Sequence, residues 1–89
     1  MYYTYVLLCK KKGLETDLYI GFTNNLRERV LKHKSKNVDT TKKFDTINLV
    51  YYEACLNKKD ARERELQLKT GFGRGYLKRR LKGYFAGLV

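Results

Sequence analysis

Apolar runs and amphipathic stretches alternate along this chain, and their periods predict the elements. Residues 2–9, YYTYVLLC, are rich in aromatic and β-branched side chains, which suit a strand. KKKGLETD follows as a turn in which Gly13 is free to take positive φ. Residues 18–22, LYIGF, make a second short strand, so the first two strands form a hairpin with a long loop. Thr23 or Asn24 offers a short side-chain oxygen to cap a helix over 25–34. The polar, basic stretch 36–45 has no periodicity and reads as a loop. INLVYYEAC, 47–55, is the third strand, and its near-continuous apolar character predicts a central, two-sided position. Asn57 caps a second helix, with Asp60 three residues on as a weak capping box. Thr70-Gly71 ends that helix, glycine supplying the left-handed residue beyond it. Residues 73–75 form a corner. Leu77, Leu81 and Tyr84 then recur at i, i+4 and i+7 in a third helix, and the chain frays after Gly83. The predicted fold is α+β with order ββαβαα, a small three-stranded, mainly antiparallel sheet flanked by helices. One domain over 1–83 is followed by a short tail, 84–89.

Three charged or ionisable residues break the apolar faces of these helices. At about 100° per residue, Arg29 and His33 fall on or beside the Leu26/Val30 stripe, while Arg27 and Glu28 point elsewhere. An arginine at the margin of a core stripe either snorkels to water or finds an anionic partner. A lone histidine there is more often structural than catalytic. In the second helix Ala61, Glu65 and Leu68 share a face, with Glu63 roughly opposite. A carboxylate on such a face calls for an arginine, a hydrogen-bonding network or a metal ion. Arg29 and Lys69 are its candidate cationic partners. Period two places Tyr3 and Tyr5 on one face of the first strand and Thr4 on the other. Tyrosines from the hairpin, an Arg and His one turn apart and one inward carboxylate are thus expected to meet beside the sheet.

Composition then narrows the function. Eighty-nine residues make one small domain, and 43% hydrophobic content with 13% aromatics is that of a folded one. Twenty Lys and Arg stand against nine Asp and Glu, a net charge of +11. Such self-repulsion points to a polyanionic partner, nucleic acid first. A membrane surface fits less well, since no long amphipathic helix carries a Trp/Phe/Leu face. Cys9 and Cys55 lie in apolar stretches without CxxC or Cys/His spacing, which argues for reduced thiols near strand ends rather than zinc. YVLLC is too short for a signal peptide, and no apolar run approaches the roughly 20 residues of a spanning helix. A cytoplasmic protein is expected, a monomer or weak homodimer with no membrane partner.

Taken together these residues resemble the GIY-YIG nuclease superfamily. Tyr19-Ile20-Gly21 reproduces the second signature, and Tyr3-Thr4-Tyr5 stands where the first would be, keeping its final tyrosine. TNNLRERVLKH is similar to the family's Thr…Leu…Arg…His segment, LVYYEA to its third strand, and ARERELQLK to the helix bearing its metal-binding glutamate. The likeness covers about 2–69, and the tail GFGRGYLKRRL is similar to the end of small stand-alone bacterial members.

The resemblance implies a site of Tyr5, Tyr19, Arg29, His33 and Glu65, with Gly21 allowing a close approach. It also implies one divalent ion, Mg²⁺ or Mn²⁺, held mainly by Glu65 and waters. The implied reaction is metal-dependent endonucleolytic hydrolysis of a nucleic-acid phosphodiester, with DNA the expected substrate. Tyr19 or Tyr5 would take the proton of the attacking water; an ordinary tyrosine pKa near 10 then requires a nearby cation, or a metal-bound hydroxide instead. Arg29 suits the non-bridging oxygens, and His33 is either a second proton handler or a phosphate donor. Lys32, Lys34, Lys42, Lys43, Arg74, Lys78, Arg79 and Arg80 would track the flanking backbone. The alternative is a DNA- or RNA-binding module of the same fold with weak or lost catalysis. An RNA binder of this kind would hold Tyr2, Tyr3, Tyr51 or Tyr52 in the open as stacking platforms.

Overall fold

In the computed structural model, which describes residues 1–12 and 16–87, three strands and four helices follow one another. They are β1 (Tyr2–Lys10), β2 (Thr16–Thr23), α1 (Leu26–Lys34), β3 (Thr46–Cys55), α2 (Lys58–Leu68), α3 (Gly71–Arg80) and α4 (Lys82–Ala86). The Gly13 turn expected from the sequence lies outside the described residues. Both strand pairings are antiparallel, in the order β2-β1-β3. The central, two-sided strand is therefore β1 and not β3. Six consecutive β1 residues, Thr4 to Cys9, are buried, whereas in β3 only Ile47 is. Apolar runs mark both strands; what separates them is that β1 has hydrogen-bonding neighbours on both edges.

Because β1 is covered on both faces, its alternation divides the core in two. Tyr5, Leu7 and Cys9 pack with Ile47 and meet Leu26 and Val30 of α1. Val6 packs with Ile20 against Leu68 of α2 and Leu77 of α3. On that second face the buried Thr4 hydroxyl donates to the carbonyl of Ala61, 2.7 Å away, which fixes α2 to the strand. Val50 interrupts the β1–β3 register as an extra residue between the partners of Val6 and Leu7.

Local chemistry explains the helix ends. Asn25, rather than Thr23 or Asn24, caps α1: its side chain accepts from the Glu28 N–H at 3.2 Å. Thr23 instead braces the turn, its hydroxyl oxygen accepting from the Asn25 N–H. Asn57 caps α2 as expected, accepting from the N–H groups of Lys59 and Asp60. At the far end of α2 the sequence misleads. Gly71 does not close α2 in a left-handed turn; it opens α3, and residues 73–75 lie within that helix. Thr70 joins the two helices, donating its hydroxyl to the Gln67 carbonyl at 2.6 Å and capping α3 at Gly73. A Cβ at Gly73 would come within 2.2–2.3 Å of the Leu68 backbone, so this glycine allows the tight corner. A further helical turn and more, α4, occupies Lys82–Ala86 where fraying was expected.

Candidate active site

Tyr5 is the centre of the site. It is fully buried on the α1 face of β1, opposite Gly21 in the β1–β2 register, and a Cβ on Gly21 would lie 2.2–2.7 Å from Tyr5 ring and hydroxyl atoms. Only glycine admits that ring. One turn apart on α1, Arg29 and His33 close on the Tyr5 hydroxyl: Arg29 Nε donates to it at 3.2 Å, and His33 Nε2 lies 2.9 Å away. Tyr19, which opposes Leu7 on the same face, packs its ring 5.0 Å from the His33 ring and 6.3 Å from that of Tyr5. The structure thus brings together Tyr5, Tyr19, Arg29 and His33.

Burial separates their chemistry. His33 is fully buried with both ring nitrogens engaged, Nδ1 lying 2.8 Å from Thr41 Oγ1. Burial, then the nearby Arg29 charge, lowers its pKa to about 4, so it is neutral at pH 7. Burial also raises the Tyr5 pKa, with Arg29 pulling the other way. The bond to Tyr5 raises the Arg29 pKa against the effect of burial, which keeps the guanidinium charged. Arg29 and Tyr19 are both half-buried.

Glu65 enters from α2, the helix on the opposite face of the sheet. Only 5% of it is exposed, and no ion pair joins it to Arg29. Its partners are its helical neighbours: Arg62 Nη1 at 2.9 Å on Oε1 and Lys69 Nζ at 3.1 Å on Oε2. Its negative charge still reaches the Tyr5 hydroxyl, where it acts to raise the pKa. Among the described residues no three His, Cys, Asp or Glu side chains cluster as a metal cage. A hydrated Mg²⁺ or Mn²⁺ needs no such cage, since it retains waters and binds through one or two carboxylates together with substrate phosphate. Glu65 fits that requirement as a single buried carboxylate, its oxygens paired with the Arg62 and Lys69 side chains, which are 60% and 50% exposed.

The eight candidate phosphate-tracking cations are all exposed, but they form two groups rather than one track. Lys32 and Lys34 end α1, and Lys42 and Lys43 occupy the loop after it; Lys42 pairs with Asp39 at 3.3 Å, and Lys43 lies over Phe44. Arg74, Lys78, Arg79 and Arg80 lie on α3, against the other face of the sheet. Arg74 and Lys78 line a groove of about 770 Å³ with Lys69, Lys82 and Tyr19. Lys69 and Lys82, which the sequence reading did not count among the phosphate-tracking cations, flank the basic tail GFGRGYLKRRL rather than lying in it. Thr41 was missed as well, and a threonine in a polar loop carries no sequence signal. Of the tyrosines an RNA binder would display, only Tyr52 is exposed; Tyr51 bonds Glu53 and Tyr76 instead. Both cysteines are free thiols, Cys9 buried and Cys55 half-buried. Among the described residues no helix is long and apolar enough to cross a membrane.

A small antiparallel sheet with tyrosines beside an arginine on one face, and one buried carboxylate on the helix across it, is the arrangement that the sequence resemblance to a nuclease class leads one to expect. The comparison with known families agrees: the chain belongs to the GIY-YIG family, whose catalytic-domain model matches residues 1–80. It is similar to the UPF0213 protein of Clostridium perfringens, 37% identical over 70 residues that cover 78% of this chain and 71% of the relative. The UPF0213 proteins of Bacillus pumilus and Staphylococcus haemolyticus are each 34% identical over 70 residues. Those matches cover 78% of this chain and 67% and 80% of the respective relatives. No solved structure gives a significant match to the chain. Nucleases of this family generally use a divalent metal ion.

Proposed function

We propose that this protein is an endonuclease that hydrolyses phosphodiester bonds of DNA with the help of one Mg²⁺ or Mn²⁺ ion. The observation that carries this reading is the grip of the Tyr5 hydroxyl on Arg29 Nε at 3.2 Å, which leaves the rest of a half-buried guanidinium fork for a phosphate. A permanent charge with paired donors, fixed in advance, matches the non-bridging oxygens as negative charge builds on them.

In the proposed reaction a water oxygen attacks phosphorus in line, the bond to the leaving oxygen breaks, and that oxygen gains a proton. Tyr19, half-exposed beside Arg29 whereas Tyr5 is enclosed, takes the proton of the attacking water in its phenolate form, and a solvent water gives the leaving oxygen its proton. Tyr5 and His33 act by holding Arg29, and His33 touches neither phosphate nor water. Glu65 would hold the divalent ion once the Arg62 and Lys69 side chains give up its oxygens. When bound, that ion supplies charge stabilisation for the phosphoryl and leaving oxygens. The basic residues of α1, its following loop and α3 hold the flanking strands.

The test is a cleavage assay on supercoiled plasmid, branched and single-stranded DNA with Mg²⁺, Mn²⁺ or EDTA. Metal-dependent cutting by the wild type, lost in Glu65→Gln and Arg29→Ala, is expected. Salt-sensitive binding without cutting would replace the proposal by the binding module. Cutting that survives both substitutions would move the centre elsewhere.

A further inference from the structure

The loop between α1 and β3 is polar and mostly exposed, yet Thr41 within it is fully buried. Its hydroxyl meets His33 Nδ1 at 2.8 Å, and His33 Nε2 meets the Tyr5 hydroxyl on the ring's other side. Arg29, Tyr5, His33 and Thr41 therefore form one continuous chain running from the half-exposed guanidinium into the interior.

The direction of that chain follows from the donor inventory. Arg29 Nε–H only donates, so the Tyr5 oxygen accepts there. His33, neutral in its buried setting, carries one ring proton, which leaves two arrangements. Either Tyr5 O–H donates to Nε2 and Nδ1–H donates to Thr41, or Thr41 donates to Nδ1 and Nε2–H donates to Tyr5. A phenol is a stronger donor than an aliphatic alcohol, and the unprotonated imidazole nitrogen is a stronger acceptor than either hydroxyl. Pairing Tyr5 O–H with Nε2 joins the best donor to the best acceptor. It also aligns all three bonds head to tail, so that each polarises the next. The second arrangement makes Arg29 and His33 both donate to one oxygen and leaves the phenol proton without a partner, whereas the first leaves unpaired only the weaker donor, the Thr41 hydroxyl proton.

We infer that Thr41 is a positioning residue: by accepting from Nδ1–H it selects the Nδ1–H tautomer of His33, which turns the Tyr5 hydroxyl toward His33 and its lone pairs toward Arg29. A histidine tautomer is commonly set by the partner of its other nitrogen. Removing the Thr41 oxygen leaves a buried N–H unpaired and favours the opposite tautomer, whose Nε2–H competes with Arg29 for the Tyr5 oxygen. The same contact fastens the loop bearing Lys42 and Lys43 to the site. The consequence for catalysis rests on the nuclease reading; the tautomer itself does not.

His33 is the only histidine, so one imidazole dominates a long-range ¹H–¹⁵N spectrum of the ¹⁵N-labelled protein. At pH 7 the wild type is expected to show a protonated Nδ1 and an unprotonated Nε2. Thr41→Ser keeps that pattern, and Thr41→Val shifts it toward Nε2–H. In the cleavage assay Thr41→Val lowers kcat by about tenfold with KM within about twofold, and Thr41→Ser restores it. A wild-type Nε2–H tautomer overturns the inference, as does a Thr41→Val protein with tautomer and kcat unchanged. Should Thr41→Val fail to fold, the wild-type and Thr41→Ser spectra still decide. Should the wild type cut nothing, the nuclease reading falls while the spectrum still judges Thr41.

Discussion

Tyr5 and Gly21 face each other across the β1–β2 pairing so closely that a methyl group on Gly21 would lie 2.2 Å from Tyr5 Cζ. The ring cannot retreat without giving up its bonds to Arg29 and His33. Gly21→Ala is therefore expected to cost about 1–3 kcal/mol of stability through overpacking. It should also lower the cleavage rate beyond what the lost stability explains. Urea unfolding beside a rate measurement at a temperature where both proteins are folded checks this.

Arg29 and Arg27 are two residues apart on α1, but only Arg29 meets Tyr5. Arg29→Ala should reduce cleavage by about 10²-fold, the scale of removing one fixed donor from a developing charge. Arg27→Ala should stay within about twofold. Equal losses would make Arg29 one cation among many.

Acid should destabilise the fold through His33. Its folded pKa of about 4 lies below its unfolded value near 6.5, so between those pH values the unfolded chain binds more protons. Stability attributable to this residue is thus fully present above about pH 6.5 and falls as the pH drops toward 4. The effect is of the order of 3 kcal/mol. Urea titrations from pH 7 to 4 should show the slope, flattened in His33→Gln; an unchanged slope would contradict the buried neutral imidazole.

Metal removal should separate activity from folding. Glu65 is already neutralised by Arg62 and Lys69, so the fold does not depend on an ion. EDTA should stop cleavage while leaving Tm within about 2 °C, the shift expected for well under 1 kcal/mol in a domain of this size. A large fall in Tm on chelation would show a structural metal.

Binding should weaken steeply with salt. If about six of the exposed lysines and arginines neutralise phosphates, affinity should fall by roughly 10³-fold between 50 and 200 mM salt. A flat response in a titration with labelled DNA would exclude a backbone-dominated mode.

Much of this was legible in the chain because it depends on local chemistry. Period two put Tyr3 and Tyr5 opposite Thr4, helical spacing set Arg29 and His33 beside Leu26 and Val30, and the i, i+4, i+7 pattern turned Glu65 inward. Those positions are fixed by backbone geometry within one element, and the buried His33 and Glu65 bear them out. Strand rank was not legible: 2–9 and 47–55 are both apolar, and only pairing on both edges makes β1 central. Nor was the 73–75 segment, where packing against the Leu68 backbone overrode the usual reading of glycine as a break.

By itself, the sequence determined that the chain is a small basic α+β domain with one tyrosine-rich hairpin and one inward carboxylate. Tertiary structure decided what those groups touch. It kept Arg29 away from Glu65, leaving that carboxylate to Arg62 and Lys69 of its own helix, the latter already a candidate from i, i+4 spacing, and enclosed Tyr5 while leaving Tyr19 half-open. It also brought Thr41 from an unpatterned loop to His33. The physical reason is common to all three: periodicity fixes the face on which a side chain lies, whereas its hydrogen-bond partner and its access to water are set by whichever element folds over that face.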